Sequence, residues 1–142
     1  MRSLMPRAAI VSVLVPFACA AAGCGNNQTT TPTTPTTPTS VTETFSGTVT
    51  KNGAVTHTFT SSAAGTVQAT LTSLSPDSSI AIGLSLGTWN GATCAIVLAN
   101  DKAILTSVVT GTVSAVGALC VRLYDVGNLS GPASYEVLVT HP

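Results

Sequence analysis

Hydrophobic and polar residues alternate with a period of two along most of the chain after Val41. In residues 45–49, 55–59 and 67–71 every second position is apolar, glycine or histidine, and the positions between them are Ser, Thr or Gln. Successive side chains of a β-strand point to opposite faces, so this alternation is typical of strands with one buried face. No helical period of 3.6 follows residue 43. The sequence therefore predicts an all-β domain.

Further apolar runs continue the same pattern toward the end of the chain. Alternation recurs at 80–86, 119–123 and 135–139, and less regular runs lie at 94–98 and 104–113. Turn-rich stretches, such as 75–78 and 127–132, separate them. About seven or eight short strands at this spacing predict a small antiparallel β-sandwich of immunoglobulin-like or jelly-roll-like type.

The dipeptide Asn52-Gly53 separates the first two alternating runs. Asn and Gly tolerate the positive φ that tight hairpin turns require. The sequence therefore predicts that the strands on either side of this dipeptide form a hairpin.

The N-terminus has the features of an export signal. Arg2 and Arg7 come before an apolar stretch at 8–15, and small residues follow at 18–23. That order is typical of a secretory signal peptide, predicted here as residues 1–23. The alternative, a permanent transmembrane anchor, is disfavoured because the apolar stretch is shorter than a membrane span.

Ala21-Ala22-Gly23-Cys24 resembles the lipobox of bacterial lipoproteins, in which the cysteine becomes the lipidated first residue. The resemblance implies that Cys24 anchors the protein to a membrane from the extracytoplasmic side. Ala21 departs from the motif, which most often has Leu there. Cleavage after 18–20 or 20–22 by an ordinary signal peptidase, giving a secreted or periplasmic protein, is the alternative.

A spacer follows Cys24 and consists almost entirely of Thr and Pro from residue 29 to residue 39. It offers no apolar side chain for burial, and each proline fixes φ near the polyproline value and removes a hydrogen-bond donor. At ~3.1 Å per residue such a spacer extends to about 50 Å. We predict a disordered tether at 24–42 and a folded domain at 43–142.

Cysteine positions predict one disulfide. Cys19 lies in the signal and Cys24 at the cleavage point, which leaves Cys94 and Cys120 as a pair in an exported domain. Closing a loop of about 26 residues stabilises by roughly 3.5 kcal/mol in the loop-entropy model. Two buried free thiols are the alternative. Parity places Cys120 on the same face as Arg122, which predicts a bridge at the sandwich edge.

Four segments of the sequence lie at residues 57–60, 64–71, 117–125 and 135–140. Together they resemble the pre-peptidase C-terminal domain, a β-sandwich module of bacterial secreted proteins. The resemblance implies an accessory domain without catalytic residues of its own, usually beside a peptidase. The chain departs from the family at 79–84, where many members carry an acidic Asp-Leu-Asp-Leu stretch. An acidic metal-binding or ligand-binding role is therefore not carried over.

Composition and motifs argue against nucleic-acid binding and catalysis. Charged residues are 7% of the chain and the formal net charge is zero, so a basic surface for nucleic acid is missing. No Gly-x-Ser-x-Gly motif is present. His57 shares a strand face with Val55 and Phe59, which predicts a hydrogen-bonded histidine at the core margin. His141, one residue from the end, is predicted to be frayed. We predict a protein that is not an enzyme.

Acidic residues do not cluster in the sequence. Asp77, Asp101 and Asp125 each stand alone in predicted loops, without the dense spacing of a calcium loop. Turn formation is the favoured role for each of them. The sequence therefore predicts no metal ion and no cofactor.

The candidate binding residues are Trp89 and Asn90, in a loop predicted to extend to Cys94. Trp89 fits a stacking platform for sugar or a contact for a protein, or alternatively a cap on the open end of the core. The sequence predicts a non-catalytic, surface-displayed accessory or binding module with a protein or polysaccharide partner. The alternatives are a purely structural envelope lipoprotein and a secreted carbohydrate-binding module.

Overall fold

The computed structural model describes residues 38–142, which form eight β-strands. Their bounds are β1 Val41–Val49, β2 Ala54–Ser61, β3 Gly65–Ser75, β4 Ile82–Trp89, β5 Cys94–Ala103, β6 Val108–Val113, β7 Gly117–Tyr124 and β8 Ala133–His141. None of the described residues belongs to a helix that could cross a membrane. The predicted signal peptide, Cys24 and residues 24–37 of the predicted tether lie outside the described residues.

The strands form two four-stranded antiparallel sheets. Sheet I has the order β1-β8-β3-β6, and sheet II has the order β2-β7-β4-β5. The predicted antiparallel β-sandwich is confirmed. β1 and β2 lie together at one side of the sandwich, called here the β1–β2 edge, and β5 and β6 lie together at the other, the β5–β6 edge.

The predicted hairpin between the first two strands is wrong. β1 pairs with β8 in sheet I, and β2 pairs with β7 in sheet II. The tight turn itself is present, because the Gly53 amide donates to the Thr50 carbonyl at 2.8 Å and Asn52 has φ of 56°. The Asn-Gly dipeptide determines that the chain reverses direction, but it does not determine which strand each neighbouring strand pairs with. Here the turn carries the chain from one sheet to the other.

Alternating residues of both sheets form the core. The largest fully buried apolar side chains are Leu71, Ile82, Leu84, Leu123, Val49, Val121, Val137 and Val139. Burying one such side chain contributes roughly 1.5–3 kcal/mol. The period-two pattern of the sequence therefore corresponds to the inner faces of the two sheets.

Strand bounds differ from the sequence prediction most clearly at β1, at β5 and before β6. β1 begins at Val41, so residues 41–42 belong to the sandwich and not to the tether. Asp101 and Cys94 lie in β5 and not in loops. Residues 104–107 form a turn before β6, in which Thr106 has φ of 72° and the Ile104 amide donates to Ser107 Oγ at 2.9 Å.

Candidate functional site

His57 lies at the β1–β2 edge, between the two sheets. Its ring stacks on Phe45 with 5.0 Å between centroids, and its Nε2 lies 2.7 Å from the hydroxyl of Tyr135. Burial lowers the pKa of His57 from its ordinary value and raises the pKa of Tyr135 to about 12. The environment therefore favours a neutral imidazole paired with a neutral phenol. This is the hydrogen-bonded histidine at the core margin that the sequence predicts.

His141 is the last residue of β8 and its side chain is buried. The prediction that it frays is wrong. Its Nε2 lies 2.9 Å from Glu43 Oε1, its Nδ1 lies 3.2 Å from the Pro142 carbonyl oxygen, and its ring packs on Phe59. The Ser62 amide also donates to that carbonyl, at 2.9 Å. These contacts hold the end of the strand against the interior.

Both histidines therefore serve to close the β1–β2 edge. Side chains from both sheets meet there and exclude solvent between the strands: Phe45, His57, Phe59, Tyr135 and His141. The hydrogen-bond partners of the two imidazoles are a phenol, a carboxylate and a backbone carbonyl. Among the described residues neither imidazole is hydrogen-bonded to a Ser, Thr or Cys side chain.

Asp125 organises the loop that follows β7. Its carboxylate accepts from the Asn52 amide at 2.8 Å and from the amides of Gly127, Asn128 and Leu129. These bonds, the one from Asn52 first, lower the pKa of Asp125. The carboxylate thus ties the β1–β2 turn to the loop after β7 and has a turn-forming role.

Asp77 and Asp101 have hydrogen-bond partners of their own, different from those of Asp125. Asp77 accepts from the amide and the hydroxyl of Ser79, at 2.8 and 2.7 Å, and the hydroxyl bond is the main cause of its lowered pKa. Asp101 accepts from the Tyr124 hydroxyl. Burial, followed by that hydrogen bond, raises the pKa of Tyr124 to about 12. Within residues 38–142 no three His, Cys, Asp or Glu side chains gather in a way that could hold a metal ion.

The disulfide joins Cys94 in β5 to Cys120 in β7, with 5.9 Å between the Cα atoms. The predicted pairing is confirmed. Cys120 alternates with the core residues Leu119 and Val121, so it faces outward from sheet II, as parity indicates. The bridge begins at the edge strand and reaches inward across β4, which lies between β5 and β7.

Gly87 of β4 makes this crossing possible. It lies opposite Cys120 on one side and opposite Ile96 on the other. A Cβ at position 87 would clash with the carbonyl oxygen of Ala95. The missing side chain therefore lets the start of β5 approach β4 closely enough for Cys94 to reach Cys120.

Trp89 is the last residue of β4 and not a loop residue as predicted, and Asn90 begins the turn to β5. The Asn90 side-chain oxygen accepts from the amides of Ala92 and Thr93, and its amide group donates to the Thr93 hydroxyl. These bonds use the Asn90 side chain to shape the turn. Trp89 is half-buried and pairs with Cys94 in the β-ladder. A binding role for these two residues stays a prediction.

An apolar cavity of about 80 Å³ opens at the β5–β6 edge. The buried part of its lining includes Phe59, Leu86 and Leu119, and the more exposed part includes Val97 and Val113. The only side-chain hydroxyls in the lining belong to threonines 88 and 112. Water in such a space finds few hydrogen-bond partners, so an apolar group displaces it readily.

Exposed apolar residues flank this cavity on β5. Ile96, Val97 and Leu98 are 44%, 68% and 38% exposed. Leu86 pairs with Leu98 and Gly87 pairs with Ile96, which leaves Val97 as the extra residue of a β-bulge. The bulge turns both Val97 and Leu98 toward the cavity.

The cavity was not among the sites that the sequence predicts. One signal was present, because residues 95–98 read Ala-Ile-Val-Leu and do not alternate with polar residues as the neighbouring strands do. A continuous apolar run is also typical of a fully buried strand. Only the topology, which places β5 at a sheet edge, shows that the run is exposed.

The chain matches no protein-family model, and no curated protein matches its sequence. The resemblance to the pre-peptidase C-terminal domain therefore stays a prediction. Among solved structures the chain is similar to the crystal structure of Aeromonas hydrophila PliG, a periplasmic lysozyme inhibitor of g-type lysozyme. The identity is 15%, the match covers 70% of this chain and 84% of that chain, and the TM-score is 0.49. A likeness at this level carries no argument about function.

Proposed function

We propose that this chain is a non-catalytic binding module that acts outside the cytoplasm and binds a protein partner through the β5–β6 edge. One observation carries the proposal: the consecutive exposed residues Ile96, Val97 and Leu98 stand beside an open apolar cavity. Exposed apolar side chains that surround a concave apolar site are typical of interaction surfaces.

The chemistry of the cavity favours a protein partner over a polysaccharide. Sugar recognition uses an exposed aromatic platform together with free polar groups, whereas the one aromatic residue of the cavity lining, Phe59, is buried and the only side-chain polar groups there are two threonine hydroxyls. The two candidate sugar-binding residues lie elsewhere, Trp89 half-buried and Asn90 bonded within its own turn. An aliphatic or aromatic side chain of a protein fits a site of this size and polarity.

Display at a membrane is the second part of the proposal. We propose cleavage before Cys24, lipidation of that residue and a tether over 24–42, because a domain that binds a surface partner needs clearance from the bilayer. The Cys94–Cys120 disulfide supports an oxidising, extracytoplasmic compartment. A secreted or periplasmic protein is the alternative if Cys24 is not lipidated.

A photo-crosslinking residue at position 97 tests the binding proposal in the full chain, expressed in its native envelope. Val97 lies at the cavity, and Val41 is a matched control because it is also an exposed valine on an edge strand, at the opposite edge. The proposal predicts a discrete crosslinked adduct from position 97 and a much weaker one from position 41.

Equal or absent adducts at the two positions would favour the alternative, a purely structural envelope lipoprotein. In that case the edge has no specific partner. Replacement of Cys24 with Ser separately tests the anchor, since a lipoprotein should then lose its membrane association or its processing. Unchanged fractionation would show that the protein is not lipidated at this position.

A further inference from the structure

The first part of β5 is attached to the sandwich in an unusual way. Of the ten residues of β5, only Ala103 at its far end belongs to the buried core. Residues 95–99 are all exposed, and Cys94 is half-buried. Apolar burial therefore holds the other strands in place but contributes little to residues 94–98.

Two side-chain links hold β5 from the outer face of sheet II, and both cross β4 at a glycine. At one end of β5 the disulfide to Cys120 passes over the position of Gly87. At the other end the Tyr124 hydroxyl donates to Asp101. The Tyr124 ring lies over Gly83, where an added Cβ would overlap it.

We infer that the Cys94–Cys120 disulfide is a redox-sensitive latch that fixes residues 94–98 and so determines the shape of the apolar cavity. Val97 and Leu98 line the cavity, and they lie within four residues of Cys94 along the chain. When the bond is reduced, this half of β5 loses its covalent attachment and keeps the backbone ladder with β4 but little side-chain burial. The buried lining residues Leu86 and Leu119 then become accessible.

The chemical step needs a dithiol reductant, either a small molecule or a thiol–disulfide exchange protein. Its thiolate attacks Sγ of Cys94, which is the more exposed of the two cysteines. The S–S bond breaks, and its electron pair leaves on Cys120 Sγ, which takes up a proton. The second thiol of the reductant then displaces Cys94 as a thiol, so that the reductant is oxidised to a disulfide and both cysteines are reduced.

The inference concerns the order of β5 and does not require the protein partner proposed above. Hydrogen exchange of the full chain, oxidised and then reduced with dithiothreitol, tests it directly. We expect the amides of residues 94–98 to exchange at least about tenfold faster after reduction. The amides of β3 and β8 in the core are expected to keep their rates.

Two results would overturn the latch. Unchanged exchange at 94–98 would show that the ladder with β4 holds the strand without the disulfide. Faster exchange in all strands alike would show that the bond stabilises the whole domain and not one edge. A Cys94→Ala/Cys120→Ala variant provides the same comparison without reductant, and the emission of Trp89, which pairs with Cys94, reports whether the β4–β5 turn has moved.

Tyr124→Phe is the matched control, because it removes the other link to β5 and leaves the disulfide intact. Its effect is expected at residues 100–102 and not at 94–98. If Tyr124→Phe loosens residues 94–98 as much as reduction does, β5 responds as a single piece, and the disulfide is not a local latch.

Discussion

The two edges of the sandwich are closed by different means. At the β1–β2 edge, side chains from both sheets fill the space between the strands, with Phe59 packed on His141 and His57 bonded to Tyr135. At the β5–β6 edge a cavity stays open, and links on the outer face of sheet II hold the edge strand. One edge is stabilised by burial, and the other by a covalent bond and a hydrogen bond.

The difference shows how a small domain can keep an apolar site accessible. Filling the β5–β6 edge with core side chains would stabilise β5 but would close the cavity. Holding β5 from outside keeps the strand in place and leaves Val97 and Leu98 free at the cavity. Core burial at the β1–β2 edge therefore stabilises the sandwich, while the apolar cavity at the β5–β6 edge stays accessible to a ligand.

The largest expected loss of stability comes from a substitution at the β1–β2 edge. Tyr135→Ala removes a ring that is 3% exposed and does not line the cavity, and it should lower the free energy of unfolding by about 3–5 kcal/mol. Val97→Ala removes two methyl groups from a residue that is 68% exposed, and should change it by less than about 0.5 kcal/mol. Urea unfolding followed by circular dichroism measures both. Similar losses for the two variants would contradict the contrast between the edges.

Gly87→Ala tests the close approach of β5 to β4. The new Cβ meets a backbone carbonyl, which cannot rotate away, so we expect a loss of about 1–3 kcal/mol. Gly117→Ala is the control, because a Cβ there has no heavy atom within 4 Å. Its stability should be unchanged or slightly higher. A tolerated Gly87→Ala variant would mean that the crossing over β4 does not need a glycine.

Asp101→Asn tests the second link to β5. It weakens one hydrogen bond from Tyr124 and should cost about 0.5–1.5 kcal/mol in unfolding free energy. It should also lower the pKa of Tyr124 from about 12 partway toward 10, because burial, the larger cause of the shift, remains. Ultraviolet titration of the phenol measures this shift, with the Tyr124→Phe variant identifying the signal. An unchanged titration would indicate that the hydrogen bond is not formed in solution.

The smallest expected effect is the pH dependence of the unfolding free energy that arises from His57 at the β1–β2 edge. Burial lowers the pKa of His57 in the folded state below its ordinary value of 6.5. The unfolded chain therefore binds the proton more readily, and stability should fall as the pH drops through and below about 6.5. His57→Gln should flatten this part of the stability profile between pH 5 and 7. A variant with the same slope as the wild type would assign the dependence to another group.

The sequence was sufficient for the fold class and the disulfide, because both follow from local pattern and elimination. The period-two alternation predicts which residues of strands such as β3 and β8 are buried. The disulfide follows because only two cysteines lie in the predicted domain. Strand partners were not predictable in the same way. Asn52-Gly53 specifies a turn, but the choice between a hairpin and a crossing depends on the packing of the two complete sheets.

Residues at the candidate site escaped prediction for a similar reason. The run at 95–98 has the composition of a buried strand, and its exposure results from the position of β5 in the sheet order. His141 had the opposite outcome, because a penultimate residue is ordinarily free, whereas here Glu43 and the Pro142 carbonyl both bind its ring. Neither outcome is local: Glu43 lies 98 positions from His141 in the sequence, and the place of β5 depends on the order of all the strands in sheet II.

Native-state hydrogen exchange of the oxidised full chain, measured across a series of low denaturant concentrations, compares the two edges most directly. If β2 is held by core burial, its slowest amides should exchange only through global unfolding, with a strong dependence on denaturant. Residues 94–98 of β5, which have little buried surface to expose, should open at a lower free energy with a weak dependence on denaturant. Equal opening free energies and equal denaturant dependence at β2 and at 94–98 would contradict the claim that the two edges are held differently.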